Sequence, residues 1–154
     1  MKKSGAGKKE MLMVLMLVVG LLTLPLSAWA KTEIIWWHAM TGFNGERVND
    51  LTNKFNASQS EYEVKAVYKG GYNDTLTAGI AAYRAKTHPH IIQVVEVATQ
   101  TMLSSGAIYP VYQLMKDQGI KIDWEDFISV VKTYYSTGGN LYSMPFNSST
   151  PILL

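Results

Sequence analysis

Cysteine is absent from the 154 residues of the sequence. This absence excludes disulfide bonds, metal sites built from thiolates and cysteine nucleophiles. It also excludes a lipid anchor on an exported chain, because such an anchor is attached to a cysteine at the cleavage point. We therefore expect an exported form of this chain to be freely soluble.

Clustered positive charge is also lacking. The 14 lysines and arginines and the 12 acidic residues give a net charge of +2, and four of the lysines lie near the start of the chain. Without residues 1–30, which hold these four lysines and one glutamate, the net charge is −1. Nucleic-acid binding needs clustered Lys and Arg to displace counterions. We therefore predict no nucleic-acid partner.

Motifs of common catalytic and metal sites are missing as well. The sequence has neither the Gly-x-x-x-x-Gly-Lys loop that cradles a nucleotide phosphate nor the Gly-x-Ser-x-Gly elbow of a serine hydrolase. His88 and His90 flank Pro89, but no carboxylate lies near them in sequence, so a metal ion would lack a third ligand. We therefore predict neither a metal site nor a cofactor.

The first 30 residues have the three parts of a secretory signal peptide. Lysines at the start are followed by an apolar run over residues 11–26, and the small residues Ala28 and Ala30 then fit the site that signal peptidase cleaves. A membrane anchor is the alternative, but the run is shorter than the roughly 20 residues that span a bilayer. We predict cleavage between Ala30 and Lys31. Residues 31–154 would then reach a Gram-negative periplasm as one domain, with ordinary secretion as the alternative.

Strands and helices alternate along residues 31–154. Short apolar or alternating runs predict strands at 33–37, 62–68 and 90–95, and amphipathic spacing predicts a helix in each of the two intervals between them. This order predicts an α/β fold with a mostly parallel sheet and helices on both faces. Ligands bind at the carboxyl ends of the strands in such sheets, so the residues that directly follow each strand are the first candidates for a site.

Apolar residues at spacings of three and four predict the buried faces of these two helices. They are Val48, Leu51 and Phe55 in the first helix and Leu76, Ile80 and Tyr83 in the second. Further helices are predicted at 99–105, 111–118 and 124–134, and the turn signal at 138–140 predicts a hairpin. Because the final run 150–154 is apolar and strand-like, we expect the chain to be a piece of a longer protein.

Five segments of the sequence resemble the sn-glycerol-3-phosphate-binding proteins of ABC importers. The segments are Ile-Trp-Trp-His-Ala-Met (35–40), Tyr-Lys-Gly-Gly-Tyr (68–72), Ala-Gly-Ile-Ala-Ala-Tyr-Arg (78–84), Ile-Gln-Val-Val-Glu-Val-Ala-Thr (92–99) and Met-Pro-Phe-Asn-Ser-Ser-Thr-Pro (144–151). The strand-helix-strand opening is shared by the wider extracellular solute-binding family, which includes maltose binders. The Gln-Val-x-Glu-Val and Pro-Phe-Asn-Ser-Ser-Thr-Pro patterns are much narrower.

The resemblance implies a two-lobed protein without catalytic activity that closes on sn-glycerol 3-phosphate or a glycerophosphodiester and presents it to membrane permease subunits. Matched motif by motif, it implies ligand contacts by Tyr72, Glu96 and Ser149. Trp37 and His38 are candidates for the wall of the cleft. Because the match covers only the first lobe, it implies a periplasmic-binding-protein-like lobe that is truncated before the second.

The residue types fit these roles, although each also has an ordinary structural explanation. Glu96 can accept hydrogen bonds from two neighbouring hydroxyls of a polyol, or it can be a solvated glutamate at the edge of the sheet. Ser149 lies among small hydroxyl residues that can converge on a phosphate or form a polar turn. Tyr72 follows two glycines that permit close backbone approach, but its ring can also cover the core.

Three other functions remain open from the sequence. The ligand can be a sugar, the chain can be an inactive gene fragment, or Ser149, His38 and Glu96 can form the site of a secreted hydrolase. The hydrolase is the weakest of these, because Asn-Ser and Thr-Pro flank the serine instead of the glycines that a nucleophile elbow needs.

Overall fold

The computed structural model of the protein describes residues 30–123 and 126–147. In chain order its elements are strand β1 (Thr32–His38), helix α1 (Gly42–Ser58), strand β2 (Tyr62–Tyr68), helix α2 (Tyr72–Arg84), strand β3 (Ile91–Ile92), a 3-10 turn (Glu96–Ala98), helices α3 (Thr99–Ser105), α4 (Val111–Gln118) and α5 (Ser129–Tyr134), and strands β4 (Ser136–Thr137) and β5 (Asn140–Leu141). Residues 1–29 of the predicted signal peptide and the final run 150–154 fall outside the described residues.

Strands β1, β2 and β3 form a parallel sheet in the order β2-β1-β3. Residues 32–38 of β1 pair in register with residues 62–68 of β2, and Trp37 lies opposite Ile92 of β3. Parallel crossovers are right-handed, so the move from β1 to β2 and the move from β2 back across to β3 place α1 and α2 on opposite faces of the sheet. The predicted α/β fold is confirmed.

The strand order also fixes where a crevice forms. After β1 the chain turns towards β2, while β3 lies on the other side of β1. In parallel sheets with this strand order, the ligand crevice lies at the carboxyl ends of the two neighbouring strands β1 and β3. We call this side of the sheet, where residues 38, 68 and 92 end their strands, the carboxyl edge.

Strand β3 is shorter than the predicted run 90–95. Its pairing extends one residue each way beyond the strand, because the amide of His90 donates to the carbonyl of Ile35 at 3.0 Å and that of Gln93 donates to Trp37 at 2.8 Å. Since β1 ends one residue after Trp37, residues 94 and 95 have no backbone opposite them to pair with. The chain therefore leaves the sheet and enters the 3-10 turn.

Helix α1 buries a different face from the one predicted. Val48 is buried at 1% exposure as expected, but Leu51 and Phe55 are 54% and 44% exposed. Thr52 takes the buried position beside Val48, and its hydroxyl donates to the Val48 carbonyl at 2.8 Å. The prediction followed apolar residues only, and it missed a threonine whose hydroxyl is satisfied within the helix.

Helix α2 also meets the sheet through small residues. Thr75 and Ala82 are its buried residues, whereas the predicted Ile80 and Tyr83 are exposed. A Cβ atom on Gly79 would lie 2.4 Å from the Cδ1 atom of Ile92, so the helix axis passes close to β3. So close an approach favours small side chains in the contact and turns larger ones towards its margin.

The later elements agree with the sequence in part. The helices predicted at 99–105 and 111–118 have those bounds in the structure. The predicted helix 124–134 is wrong over its described first part, because α5 begins only at Ser129. Ile128 and Val130 are 74% and 73% exposed.

The predicted hairpin is confirmed. Strands β4 and β5 pair antiparallel around Gly138 and Gly139. Both glycines have positive φ values, +58° and +79°, as the central residues of a tight two-residue hairpin turn require. The turn brings residues 141–147 back alongside α4, where the amide of Val111 donates to the carbonyl of Tyr142.

Candidate functional site

Gln93 connects the chain segments at the carboxyl edge. Its side chain is buried at 9% exposure, and its Oε1 atom accepts a hydrogen bond of 3.0 Å from the backbone amide of Ala39, just after β1. Its Nε2 atom donates to the Oδ1 atom of Asn147 at 2.9 Å. A buried amide needs such partners, and here they join β1, β3 and the segment that follows the hairpin.

Asn147 extends this network to two tyrosines. Its Nδ2 atom donates to the hydroxyl oxygen of Tyr72 at 3.4 Å, and its backbone carbonyl accepts from the hydroxyl of Tyr135 at 3.2 Å. Four residues that are far apart in sequence therefore meet at the carboxyl edge. We call Tyr72, Gln93, Tyr135 and Asn147 the edge cluster.

An aromatic contact holds the segment that carries Asn147 against the sheet. The ring of Phe146 packs edge-on against Trp36 of β1, with 5.1 Å between the ring centroids. Edge-to-face pairs of this kind are favourable beyond the area that they bury. The contact therefore fixes the backbone next to Asn147 before any ligand is present.

Tyr72 is placed by the two glycines before it. Gly70 has φ +95°, and a Cβ atom there would lie 2.7 Å from the side chain of Asp74, so only glycine fits. The Asp74 carboxylate in turn accepts a hydrogen bond from the amide of Gly71 at 2.9 Å. This turn starts α2 at Tyr72 and leaves that side chain 37% exposed at the carboxyl edge.

Glu96 is the first residue of the 3-10 turn that follows Gln93 and β3. Its side chain is exposed, and within the described residues its carboxylate makes no hydrogen bond or salt bridge. Burial raises the pKa of the Tyr135 hydroxyl, the neighbouring Tyr134 raises it further, and Glu96 and Tyr72 add to the rise. Glu96 and Tyr72 are thus within electrostatic range of the same hydroxyl, and Tyr135 stays protonated as a donor at neutral pH.

His38 is buried and does not face an open cleft. It is 4% exposed, and its Nδ1 atom accepts a hydrogen bond of 3.3 Å from the amide of Met40. The rings of Trp36 and Tyr68 lie 5.7 and 6.1 Å from it. Burial lowers the pKa of His38, so its ring is uncharged at neutral pH. The ring therefore stabilises the turn after β1 by accepting the hydrogen bond from the amide of Met40.

Trp37 points to the other face of β1 and is half-buried. The Nζ atom of Lys69 lies 4.2 Å from the centre of its ring, in a cation–π contact. Lys69 directly follows β2, so this contact covers Trp37 from the carboxyl edge. Ser149, the third predicted ligand contact, lies outside the described residues, and its role stays a prediction.

Sequence reasoning assigned no role to Gln93, Asn147 or Tyr135. Gln93 and Asn147 lie inside the two narrow motifs, and a usable signal was present for Gln93. A single amide within the apolar run 90–95 must have hydrogen-bond partners if the strand is buried. Nothing local to the sequence indicates that one of those partners is 54 residues away.

Metal sites, membrane helices and cavities are the other features of the described residues that bear on function. The described residues contain no group of three metal-binding side chains and no helix that is long and apolar enough to cross a membrane. An open cavity of about 290 Å³ lies between α4, α5 and the hairpin, and Lys116 and Lys132 are among its lining residues. None of the predicted site residues lines it.

Comparison with known proteins identifies the family. The sequence profile of the bacterial extracellular solute-binding proteins matches residues 50–154. The chain belongs to this family. The solute-binding protein UgpB of Brucella abortus, named as an sn-glycerol-3-phosphate-binding periplasmic protein, is 46% identical over 134 residues, which are 86% of this chain and 31% of that protein. UgpB of Yersinia pestis biovar Antiqua is 49% identical over 86% of this chain and 30% of its own length. The chain therefore spans less than a third of the length of these two relatives.

Solved structures of other binding proteins show the same fold. The cyclic α-maltosyl-1,6-maltose-binding protein of Arthrobacter globiformis aligns with a TM-score of 0.59 and 21% identity, over 72% of this chain and 27% of its own. The protein CpMnBP1 with mannotriose bound aligns with a TM-score of 0.63 and 18% identity, over 75% and 28%. At these identities the likeness concerns the fold and not the ligand.

Proposed function

We propose that this chain is a substrate-binding component of an ABC importer and captures sn-glycerol 3-phosphate, or a glycerophosphodiester, in the periplasm for delivery to membrane permease subunits. The observation that carries the proposal is the hydrogen-bonded edge cluster at the carboxyl edge, with the exposed Glu96 within electrostatic range of its member Tyr135. This edge is where the fold opens a crevice. The names of the 46–49% identical relatives support the same ligand and compartment.

The chemistry of the edge suits a phosphorylated polyol. The free carboxylate of Glu96 accepts hydrogen bonds from two neighbouring hydroxyls, whereas it would repel a phosphate placed directly against it. Tyr72 offers a hydroxyl, and Ser149 with its neighbours would add hydroxyl and amide donors to the phosphate. Glu96 would therefore bind the hydroxyl end of the ligand as an acceptor, and Tyr72 and Ser149 would bind its phosphate end as donors.

The sugar-binding and hydrolase alternatives are less well supported. The oligosaccharide binders share the fold at 21% and 18% identity, which does not extend to the ligand. In a hydrolase, His38 would have to act as the base, but its ring is buried and its Nδ1 atom is occupied by the amide of Met40. We therefore propose binding without catalysis.

A titration of the purified chain with sn-glycerol 3-phosphate, followed by NMR chemical shifts, tests the proposal. We expect binding without saturation in the micromolar range, because Tyr72 and Glu96 lie on an exposed surface where each hydrogen bond competes with water and contributes about 1 kcal/mol. Glu96→Gln should weaken this binding by about 1 kcal/mol, the contribution of one hydrogen bond on such an exposed surface.

Glu46→Gln provides the matched control, since Glu46 is an exposed glutamate on α1. This variant should bind as the wild type does. Maltose and mannotriose, titrated in parallel, should produce no shifts. Binding of a sugar in place of sn-glycerol 3-phosphate, or equal affinity of wild type and Glu96→Gln, would contradict the proposal.

A further inference from the structure

The hydrogen bonds of the edge cluster run in one direction, and a backbone amide sets that direction. The amide of Ala39 can only donate, so the atom of Gln93 that faces it at 3.0 Å must be the oxygen. The Nε2 group of Gln93 then faces Asn147 and must donate to an acceptor, the Oδ1 atom, at 2.9 Å. The orientation of both amides therefore follows from one donor.

The same direction continues to the hydroxyl of Tyr72. With its oxygen turned to Gln93, Asn147 presents its Nδ2 group to the Tyr72 oxygen at 3.4 Å. The Tyr72 oxygen acts as an acceptor there, so the hydroxyl hydrogen remains free for another partner. The backbone carbonyl of Asn147 is held by the hydroxyl of Tyr135 at 3.2 Å, which keeps the residue in place while its side chain bridges Gln93 and Tyr72.

We propose that Gln93 is a positioning residue that, through Asn147, sets the Tyr72 hydroxyl to donate a hydrogen bond to an anionic oxygen of the ligand, such as a phosphate-ester oxygen. This inference rests on the proposed function and assigns the polarity of one of its contacts. The buried Gln93 does not touch the ligand. Tyr72, which is 37% exposed, donates this hydrogen bond, while the exposed Glu96, which can only accept, receives hydrogen bonds from the hydroxyls of the ligand.

Gln93→Glu inverts this chain with little change of shape. The new carboxylate still accepts from the amide of Ala39, but its second oxygen can only accept from Asn147. The Asn147 amide must then turn, so that its oxygen faces Tyr72 and takes the Tyr72 hydroxyl hydrogen. Without ligand, we expect the nuclear Overhauser contact between the Asn147 amide protons and the Tyr72 ring to be present in the wild type and lost in Gln93→Glu.

The ligand arm compares inorganic phosphate, sn-glycerol 3-phosphate and glycerol in a double-mutant cycle with Tyr72→Phe. The carboxylate added by Gln93→Glu repels phosphate in both backgrounds, so the cycle cancels that effect. We expect Gln93→Glu to reduce the affinity for phosphate roughly tenfold more when Tyr72 is present than in the Tyr72→Phe background. An effect of this size is expected for the loss of a hydrogen bond to a charged group. Binding of glycerol, which has no anionic oxygen, should show no such coupling.

Two further variants keep the test decisive. Gln93→Met removes the amide without adding charge, and should weaken phosphate binding severalfold only when Tyr72 is present. Gln100→Glu adds the same charge at an exposed position of α3 and should leave the Overhauser contact intact.

Two results would overturn the positioning role by itself: an Overhauser contact that survives in Gln93→Glu, or additive losses in the cycle. Failure of the wild type to bind either phosphate compound would instead refute the proposed function and, with it, the ligand contact inferred here. The Overhauser arm would still decide the orientation of the Asn147 amide.

Discussion

At the scale of single residues, the burial of His38 makes stability depend on pH. Burial lowers the pKa of its ring below the ordinary value of 6.5, so the unfolded chain binds more protons than the folded one in the window below pH 6.5. Stability is therefore complete above that window and falls as the pH drops towards the lowered value. Protonation also removes the Nδ1 acceptor for the amide of Met40 at the carboxyl edge.

Urea unfolding of the wild type and of His38→Asn between about pH 5 and pH 8 measures this contribution. The variant should be less stable at the upper end of this range but should lose less stability on acidification, because Asn keeps an acceptor and has no proton to take up. His88→Asn, a change at an exposed histidine, should leave the loss that depends on His38 in place. Parallel pH curves for wild type and His38→Asn would contradict this explanation.

Single residues also show how far the sequence can lead. Tyr72 and Glu96 were predicted as ligand contacts from the resemblance, and both follow predicted strands, where the rule for parallel sheets places residues at the carboxyl edge. Gln93 and Tyr135 were missed because their roles depend on partners at long sequence separation, such as Asn147, 54 residues from Gln93. His38 also lies at the carboxyl end of a strand, but the alternation of side chains along β1 directs its ring into the core.

At the scale of elements, Asn56 joins α1 to the outer edge of β2. Its Nδ2 atom donates to the carbonyl of Val64 at 2.9 Å, and its Oδ1 atom accepts from the amide of Val64 at 2.8 Å. Strand β2 is an edge strand, and the amide pairs with it as a neighbouring strand would. This covers one unpaired position of an exposed sheet edge.

Asn56→Ala should lower the free energy of unfolding by about 1 to 3 kcal/mol, since it leaves two half-buried backbone groups without their partners. Chemical denaturation of the purified chain measures this. Asn53→Ala, at an exposed position of the same helix, should change stability by less than about 0.5 kcal/mol. Equal effects of the two substitutions would mean that the pairing with Val64 adds nothing to stability.

Elements with a local signal were predicted better than elements that depend on neighbours. Helix α4 is followed by a glycine in the left-handed conformation, Gly119, which marks its end in the sequence. Strand β3 is short because β1 ends opposite it. The apolar run 90–95 alone cannot indicate where the neighbouring strand ends. The buried face of α2 is likewise set by the close approach of Gly79 to Ile92 and not by its largest apolar residues.

At the scale of the whole molecule, the chain is an α/β domain of the extracellular solute-binding protein family, and its candidate site lies on one open edge. Its exposed members, Tyr72, Glu96 and Asn147, would bind a small ligand from one side only. Solute-binding proteins that close around a hinge bury their ligand between two bodies. The weak affinity predicted for this chain follows from that difference, because a small ligand on an open surface keeps much of its contact with water.

The location of ligand-induced chemical-shift changes tests most directly the claim that this edge is the ligand site. Backbone amide spectra of the purified chain would be recorded while sn-glycerol 3-phosphate is added to millimolar concentrations. We predict the largest changes at residues 72, 93–98, 135 and 147. Changes confined to the cavity lined by Lys116 and Lys132, with residues at the carboxyl edge unaffected, would contradict this claim.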